Sequence, residues 1–262
     1  MTISEYLLDN RAAAAERRFG ALSALFDDGT FRHIEALGIQ RGWRCWEVGA
    51  GGPSVPNWLA GRAGADGHVL ATDIDTSWID GVAPHVEVRR HHVARDDPPS
   101  GVFDLIHARL VLCWIPERDQ ALRRMAGALR PGGWLLIEDF DPALQSAACL
   151  DAYLPDHHNA NKLRAGFGAL VAQTGADPAY GRTLPRLLTG LGLADVAADA
   201  YMPVSLPAVG ALDLSNFDQL RDALLAQGLA TAEDIDRHRA AVDRGTGFAT
   251  PPLISAWGRK PS

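Results

Sequence analysis

Two acidic residues and the glycine-rich turn between them are the groups of this chain best placed to bind a ligand. Glu47 ends a short apolar run and precedes the turn at residues 49–52, and Asp73 ends a second apolar run. Glycine lets the backbone approach a ligand without a Cβ in the way, and Pro53 suits the first turn of a following helix. This succession is the pattern of a nucleotide-cofactor site, in which the second acid binds ribose hydroxyls.

Two details of the turn favour one cofactor over another. Dinucleotide sites use a third glycine so that a helix N-terminus can meet a pyrophosphate, whereas Pro53 stands at that position here. The carboxylate of Glu47 would repel a pyrophosphate but attract a cationic amino-acid tail, and S-adenosylmethionine carries such a tail. An NAD-dependent oxidoreductase on the same type of sheet is therefore the less favoured alternative.

The turn and three later segments resemble the motifs of one enzyme family. Glu47-Val48-Gly49-Ala50-Gly51 is similar to the first motif of class I S-adenosylmethionine-dependent methyltransferases, and Asp73 is similar to the second. Residues 103–109 resemble the fourth-strand motif of that family, and residues 129–137 resemble its turn into the fifth strand. The order of the motifs is the family's order. The resemblance is to the broad group of small-molecule methyltransferases that includes the enzymes of ubiquinone and menaquinone biosynthesis.

This resemblance implies an α/β fold, a Rossmann-like doubly wound sheet of seven mostly parallel strands with the last strand antiparallel. We expect a single methyltransferase domain over residues 1–262. It comprises an N-terminal helical cap at residues 1–40 and a Rossmann-like core at residues 41–141 and 186–262. A helical insert at residues 142–185 is expected to cover the substrate.

Local patterns predict several individual elements. Helical spacing predicts a first helix over residues 6–24 and a second over residues 30–37, with the polar residues 27–30 as the stop between them. Alternation of apolar and polar residues predicts the third strand over residues 86–90.

The resemblance also implies roles for the residues around the turn. Glu47 and the backbone of Gly49, Ala50 and Gly51 are expected to hold the methionine part of the cofactor, and Asp73 is expected to bind the ribose hydroxyls. No catalytic base is assigned and no metal site is predicted.

The adenine is expected to lie against Ile74, His92 and Val93. The family usually has an acid where this chain has His92. A neutral imidazole nitrogen can accept a hydrogen bond from the adenine amine, whereas a protonated one cannot. The backbone amide of Val93 can serve a ring nitrogen. The departure at His92 keeps a second interpretation open, in which the chain binds S-adenosylmethionine without transferring its methyl group.

Two arginines are candidates for the carboxylate of the cofactor. Arg109 follows the fourth strand at its carboxyl end, where ligands bind in open α/β sheets. Arg18 lies in the N-terminal segment, which folds over the cofactor cleft in the resembled family. The alternatives are a salt bridge to a neighbouring helix for Arg109 and a solvated helix charge for Arg18.

Composition excludes several classes of partner. The 262 residues carry 25 Lys and Arg against 32 Asp and Glu, a formal charge of −7, so no basic field exists to attract nucleic acid. The three cysteines lack the spacing of a zinc site or a disulfide framework. No apolar run approaches the ~20 residues that span a bilayer. We expect a cytoplasmic protein that acts on a small-molecule methyl acceptor, with a homodimer as one option for its assembly.

Overall fold

We describe the chain from a computed structural model, which covers Leu8, residues 13–99 and residues 102–262. These residues form two compact units. The first contains the described residues up to Phe26 together with Asp141–Ala179 and Tyr201–Pro252. The second contains Asp27–Phe140, Tyr180–Ala200 and Leu253–Ser262. Each unit is described by itself.

The second unit is built on a seven-stranded sheet with the order β3-β2-β1-β4-β5-β7-β6. The four pairs from β3 across to β5 are parallel, and β7 pairs antiparallel with β5. The predicted Rossmann-like sheet with an antiparallel last strand is therefore confirmed. The strands are β1 Arg44–Val48, β2 His68–Asp73, β3 Val86–Arg90, β4 Phe103–Arg109, β5 Leu129–Phe140, β6 Ala194–Tyr201 and β7 Leu253–Arg259.

Seven α-helices lie in the described part of the chain, and none of them combines the length and the apolar character needed to span a lipid bilayer. A single 3-10 turn, Leu112–Trp114, follows β4. The helices are α1 Ala13–Ala36, α2 Ser54–Ala63, α3 Arg118–Ala128, α4 Pro155–Ala172, α5 Tyr180–Gly190, α6 Pro207–Ala226 and α7 Ala232–Asp243.

Helices cover both faces of the central strands, so those strands are apolar on both sides, as parallel strands usually are. On one face, which we call the first face, Ile34 of α1 and Leu59 of α2 pack against Cys45 and Leu105. On the opposite face, residues of α3 and α5 pack against Trp46 and against the other strand side chains that alternate with those of the first face. Polar side chains on the first face are therefore unusual and need partners.

The predicted break between two N-terminal helices is wrong, because α1 continues from Ala13 to Ala36. The polar residues taken as a stop are instead used in tertiary contacts: Asp27 accepts a hydrogen bond from Arg109, and Thr30 donates one to Glu138. These distant partners satisfy side chains that local pattern assigned to capping. The predicted start of the first helix, at residue 6, lies outside the described residues.

The expected core at residues 41–141 and 186–262 stays a prediction. Within the second of these ranges, Tyr201–Pro252 lies in the first compact unit. The reason is that α6 and α7 pack with α4: Arg164 of α4 pairs with Asp213 of α6 at 2.8 Å, and Asn159 donates to the carbonyl of Asp234 on α7 at 2.8 Å. The single-domain assignment for the whole chain stays a prediction.

Candidate functional site

Strand register places the two predicted acids on the same face of the sheet. Glu47 of β1 lies beside Ala71 of β2, and Asp73 follows Ala71 by two residues. Side chains alternate along a strand, so Glu47 and Asp73 both point to the first face. His107 of β4 lies beside Glu47 and shares this face. The carboxyl ends of neighbouring strands thus bring together acids that are distant in sequence.

The glycine turn is fastened to the end of β2. The amide of Ala50 donates to the carbonyl of Thr72 at 3.0 Å, and the amide of Gly51 donates to Oδ2 of Asp73 at 2.9 Å. Gly49 has φ 65°, in the left-handed region that glycine adopts without penalty. A Cβ at Gly49 would lie 2.3 Å from Cγ2 of Val111, so the turn has no room for a larger residue there.

Asp73 is held by backbone amides on both carboxylate oxygens. Besides Gly51, the amide of Asp75 donates to Oδ1 at 3.0 Å. Burial raises the pKa of Asp73, and these amides act in the opposite direction. Next to it, the apolar side chain of Ile74 is 45% exposed. A fixed carboxylate beside an exposed apolar residue suits a ligand with hydroxyl groups and a flat apolar ring.

Glu47 has an internal cationic partner. Its Oε2 lies 2.6 Å from Nδ1 of His107, and the residue is 2% exposed. Burial raises the pKa of Glu47, while the attraction of His107 opposes that rise. The sequence interpretation had Glu47 facing the cofactor's amino group, but it did not foresee that a buried histidine would already occupy one of its oxygens.

His107 bridges two glutamates inside the sheet. Its Nε2 lies 3.2 Å from Oε2 of Glu138 on β5. Burial alone would lower the pKa of His107, but Glu47 and Glu138 outweigh it and raise the pKa to about 9. At neutral pH the ring is therefore an imidazolium that donates from both nitrogens. Although burial opposes it, hydrogen bonds from His107 and His33 hold the pKa of Glu138 well below its usual value.

Sequence reasoning missed this network, although a signal for it exists. His107 and Glu138 stand near the carboxyl ends of predicted strands, and polar residues at such positions can share a face. What the sequence does not contain is the register that puts Glu47, His107 and Glu138 in one row. Glu138 also accepts hydrogen bonds from Thr30 and from Ser255, the latter at 2.6 Å.

Arg109 is already paired within the second unit. Its Nη2 donates to Oδ1 of Asp27 at 2.7 Å, and its Nη1 donates to Thr30 at 2.9 Å. Asp27 in turn accepts a hydrogen bond from Ser54, the first residue of α2. The structure thus shows the salt bridge to a neighbouring helix that was the alternative for Arg109. Its role toward a cofactor carboxylate stays a prediction.

The geometry at His92 does not favour an acceptor role for its ring. Nδ1 lies 3.3 Å from the amide nitrogen of Ala94 and accepts its hydrogen, so a neutral ring keeps its own proton on Nε2 and donates there. The amide of His92 donates to Oδ2 of Asp96 at 2.7 Å, and this bond lowers the pKa of Asp96. Asp96, which the sequence analysis did not single out, is the acid beside this position. Val93 is buried in the core next to it.

Arg18 belongs to the first unit. Its Nη1 donates to Oε1 of Gln219 on α6 at 2.6 Å, and the residue is 3% exposed. The neighbouring Arg17 pairs with Asp218 of the same helix at 3.2 Å. The alternative of a solvated charge does not describe Arg18, which is buried. Its predicted contact with the cofactor stays a prediction.

Comparison with known proteins gives a family match. The model of a family described as a methyltransferase domain matches residues 10–198, which is more than half of the chain. Methyltransferase str2 of Strobilurus tenacellus is 34% identical over 167 residues, covering 61% of this chain and 57% of that protein. A ubiquinone/menaquinone biosynthesis C-methyltransferase of Vibrio parahaemolyticus is 28% identical over 131 residues, covering 46% of this chain and 51% of that protein. The chain thus matches little more than half the length of these relatives.

A solved structure shows the same fold. Phosphoethanolamine N-methyltransferase 2 of Haemonchus contortus, in complex with phosphomonomethylethanolamine and S-adenosylhomocysteine, aligns with a TM-score of 0.62 at 14% identity, covering 100% of this chain and 61% of that chain. Likeness at such low identity bears on the fold alone. Together with the family match, it confirms the resemblance to class I methyltransferases that the ordered motifs indicated, with S-adenosylmethionine as the cofactor.

Proposed function

Because the chain belongs to the methyltransferase domain family, we propose that it transfers a methyl group from S-adenosylmethionine to a small organic molecule. The observation that carries this proposal is the position of Asp73. Its carboxylate is fixed by the amides of Gly51 and Asp75, on the same sheet face as Glu47 and beside the exposed Ile74. Carboxylate, bare turn and apolar side chain match the ribose, tail and adenine of the cofactor.

The residues present fit the cofactor at two of its three parts. The Asp73 carboxylate can accept hydrogen bonds from ribose hydroxyls, and Glu47 supplies negative charge for the ammonium of the tail. At the adenine, Nε2 of His92 offers a donor where the amine needs an acceptor. The Asp96 carboxylate, four residues on, is the better acceptor for the amine, and the Val93 amide can serve a ring nitrogen.

The protein's part in the reaction is mainly to bind and orient. When bound, S-adenosylmethionine supplies a methyl group already activated by the sulfonium. Holding the acceptor's nucleophile in line with that methyl, at about 3–3.5 Å and away from water, provides much of the rate enhancement. A base is needed only when the nucleophile carries a proton that must leave. The buried row of Glu47, His107 and Glu138 holds Glu47 in place for this task, and the amides of Gly51 and Asp75 hold Asp73.

Calorimetry with S-adenosylmethionine and S-adenosylhomocysteine tests the proposal. We expect Asp73→Ala to weaken binding of both by about 10- to 100-fold, because a charged hydrogen-bond partner of the ribose is lost. Asp66→Ala is the matched control, since Asp66 is an exposed acid in the turn before β2. No binding by the wild-type protein would refute the cofactor assignment, and unchanged binding by Asp73→Ala would refute the role of Asp73.

Transfer itself is tested by formation of S-adenosylhomocysteine with a panel of small acceptors that carry phenol, amine, carboxylate or activated carbon nucleophiles. We expect the wild-type protein to form S-adenosylhomocysteine when one class of acceptor is present, and we expect Asp73→Ala not to form it. Tight cofactor binding with no acceptor-dependent turnover across the whole panel would favour the alternative of a binding protein without transfer activity.

A further inference from the structure

The buried row Glu47–His107–Glu138 has more charge than packing alone requires. His107 is fully buried, and its two nitrogens face carboxylates at 2.6 Å and 3.2 Å. A neutral imidazole has one N–H, so only the protonated ring donates to both acids at once. Buried charges are costly unless they are compensated, and such a row is retained at an expense in stability.

The two glutamates differ in how far they depend on His107. Glu138 also accepts hydrogen bonds from Thr30 and Ser255, and His33 lies 3.3 Å from its Oε1. Among the residues that the structure describes, His107 is the one that donates a hydrogen bond to the carboxylate of Glu47. If His107 loses its charge, other donors still serve Glu138, whereas the described residues offer the carboxylate of Glu47 no second hydrogen-bond donor.

We propose that His107 is a positioning residue that keeps the Glu47 carboxylate ionised and correctly oriented for the cationic tail of the cofactor. This inference rests on the proposed function. With Oε2 bound to the imidazolium, the rotamer of Glu47 is fixed, and its negative charge survives burial. Without that partner, a carboxyl at this depth takes up a proton and its attraction for an ammonium disappears.

The charged surroundings of His107 come from several elements. They comprise Glu47 on β1, Arg109 on β4, Glu138 on β5, Asp27 and His33 on α1, and Asp199 on β6 through its 2.9 Å contact with His33. Within the described part of the chain, only His107 bridges Glu47 to this set by hydrogen bonds. The charge of Arg109 also favours the ionised form of Glu47, but His107 is the cation in hydrogen-bond contact with its carboxylate.

The test compares two ligands that differ in the tail. S-adenosylhomocysteine carries the amino-acid ammonium, and 5′-methylthioadenosine keeps the adenosine but lacks the tail. At pH 7 we expect His107→Gln to bind S-adenosylhomocysteine about tenfold more weakly than the wild type, because one charge-assisted interaction is lost. Its affinity for methylthioadenosine should stay within about twofold of the wild-type value. His68→Gln, a half-exposed histidine on β2, is the control and should affect neither ligand.

The pH profile separates positioning from a merely structural role. The ligand's own amino group titrates in the alkaline range, so affinities are compared between pH 6 and 8, where it stays an ammonium. We expect the ratio of wild-type to His107→Gln affinities for S-adenosylhomocysteine to fall as the pH rises from 6 to 8, because burial raises the pKa of Glu47 and the variant carboxyl, without His107, loses its proton over this range, whereas the wild-type carboxylate is ionised throughout. A constant ratio, or equal weakening of both ligands, would overturn the inference.

Glu47→Gln provides a second route if His107→Gln does not fold. We expect this variant to bind S-adenosylhomocysteine about tenfold more weakly than wild type at pH 7 and to bind methylthioadenosine normally. Unchanged affinity for S-adenosylhomocysteine, or equal weakening of both ligands, would overturn the inference. Absence of binding of both ligands to wild-type protein would instead refute the proposed function, so the two failures are distinguishable.

Discussion

Replacing Gly49 with alanine probes the geometry of the glycine turn through two separate costs. The φ of 65° lies in the left-handed region, which costs a residue with a Cβ about 1–2 kcal/mol. The new Cβ would also lie 2.3 Å from Cγ2 of Val111, and overpacking of this kind costs about 1–3 kcal/mol. We expect Gly49→Ala to lower the free energy of unfolding by about 2–5 kcal/mol.

Val111 allows the two costs to be separated. Val111→Ala removes Cγ2 and leaves the Cβ of residue 111 at 3.5 Å, an ordinary contact. Urea denaturation of the wild type, the two single variants and the double variant then gives a coupling energy. We expect the double variant to be more stable than the sum of the single effects by about 1–3 kcal/mol, while the cost of the left-handed backbone remains.

Gly29→Ala is the control for this cycle. Gly29 lies within α1, and a Cβ there meets nothing within 4 Å. Alanine should therefore stabilise the protein by about 0.5–1 kcal/mol. Additive effects at Gly49 and Val111, or a Gly49→Ala protein as stable as the wild type, would refute the geometric argument.

Two further predictions concern buried charge and pH. The pKa of His107 is raised from 6.5 to about 9, so its contribution to stability is fully present below pH 6.5 and is lost as the pH rises through 9. Urea denaturation between pH 6 and 10 should show a decline on the order of 3 kcal/mol in the wild type that is largely absent in His107→Gln, and equal declines would contradict the assignment. On the opposite face, neither carboxylate oxygen of Asp139 makes a hydrogen bond of ordinary geometry with the described residues. Burial raises the pKa of Asp139 to about 7, although the Cys113 thiol and backbone amides nearby oppose it. The protonated form of Asp139 favours the folded state, and this contribution to stability is lost as the pH rises from about 4 through 7. The free energy of unfolding of Asp139→Asn should therefore exceed that of the wild type by about 2–4 kcal/mol at pH 8 and by less at pH 5. An equal gain at both pH values would contradict this account.

Local pattern was sufficient for most of the sheet. β3 occupies residues 86–90 as alternation predicts, and β1 and β2 end close to the two acids that mark their carboxyl ends. The antiparallel last strand followed from the family resemblance rather than from periodicity. α1 shows where local pattern fails. Residues 27–30 looked like a stop, but α1 runs through them, and Asp27 and Thr30 bind Arg109, Ser54 and Glu138 instead of capping a helix end.

The candidate site was predicted in part. The position of Asp73 beside the turn matches the sequence interpretation, because strand ends and glycines are local features. The partners of Arg109 and the hydrogen bonds around His92 were not foreseen. The partners of Arg109 lie on α1, which precedes β1 in the chain, and the hydrogen bonds around His92 form within the turn after β3.

Residue types and their order therefore determine that this chain forms a glycine turn flanked by strands with terminal acids, since such features follow from backbone preferences over a few residues. Tertiary structure alone decided that Glu47, His107 and Glu138 form one buried row. That row requires a specific register among β1, β4 and β5, which pairs residues 60 and 31 positions apart. Register is set by the packing of entire faces, and a one-residue slip would send each of these side chains to the opposite side of the sheet.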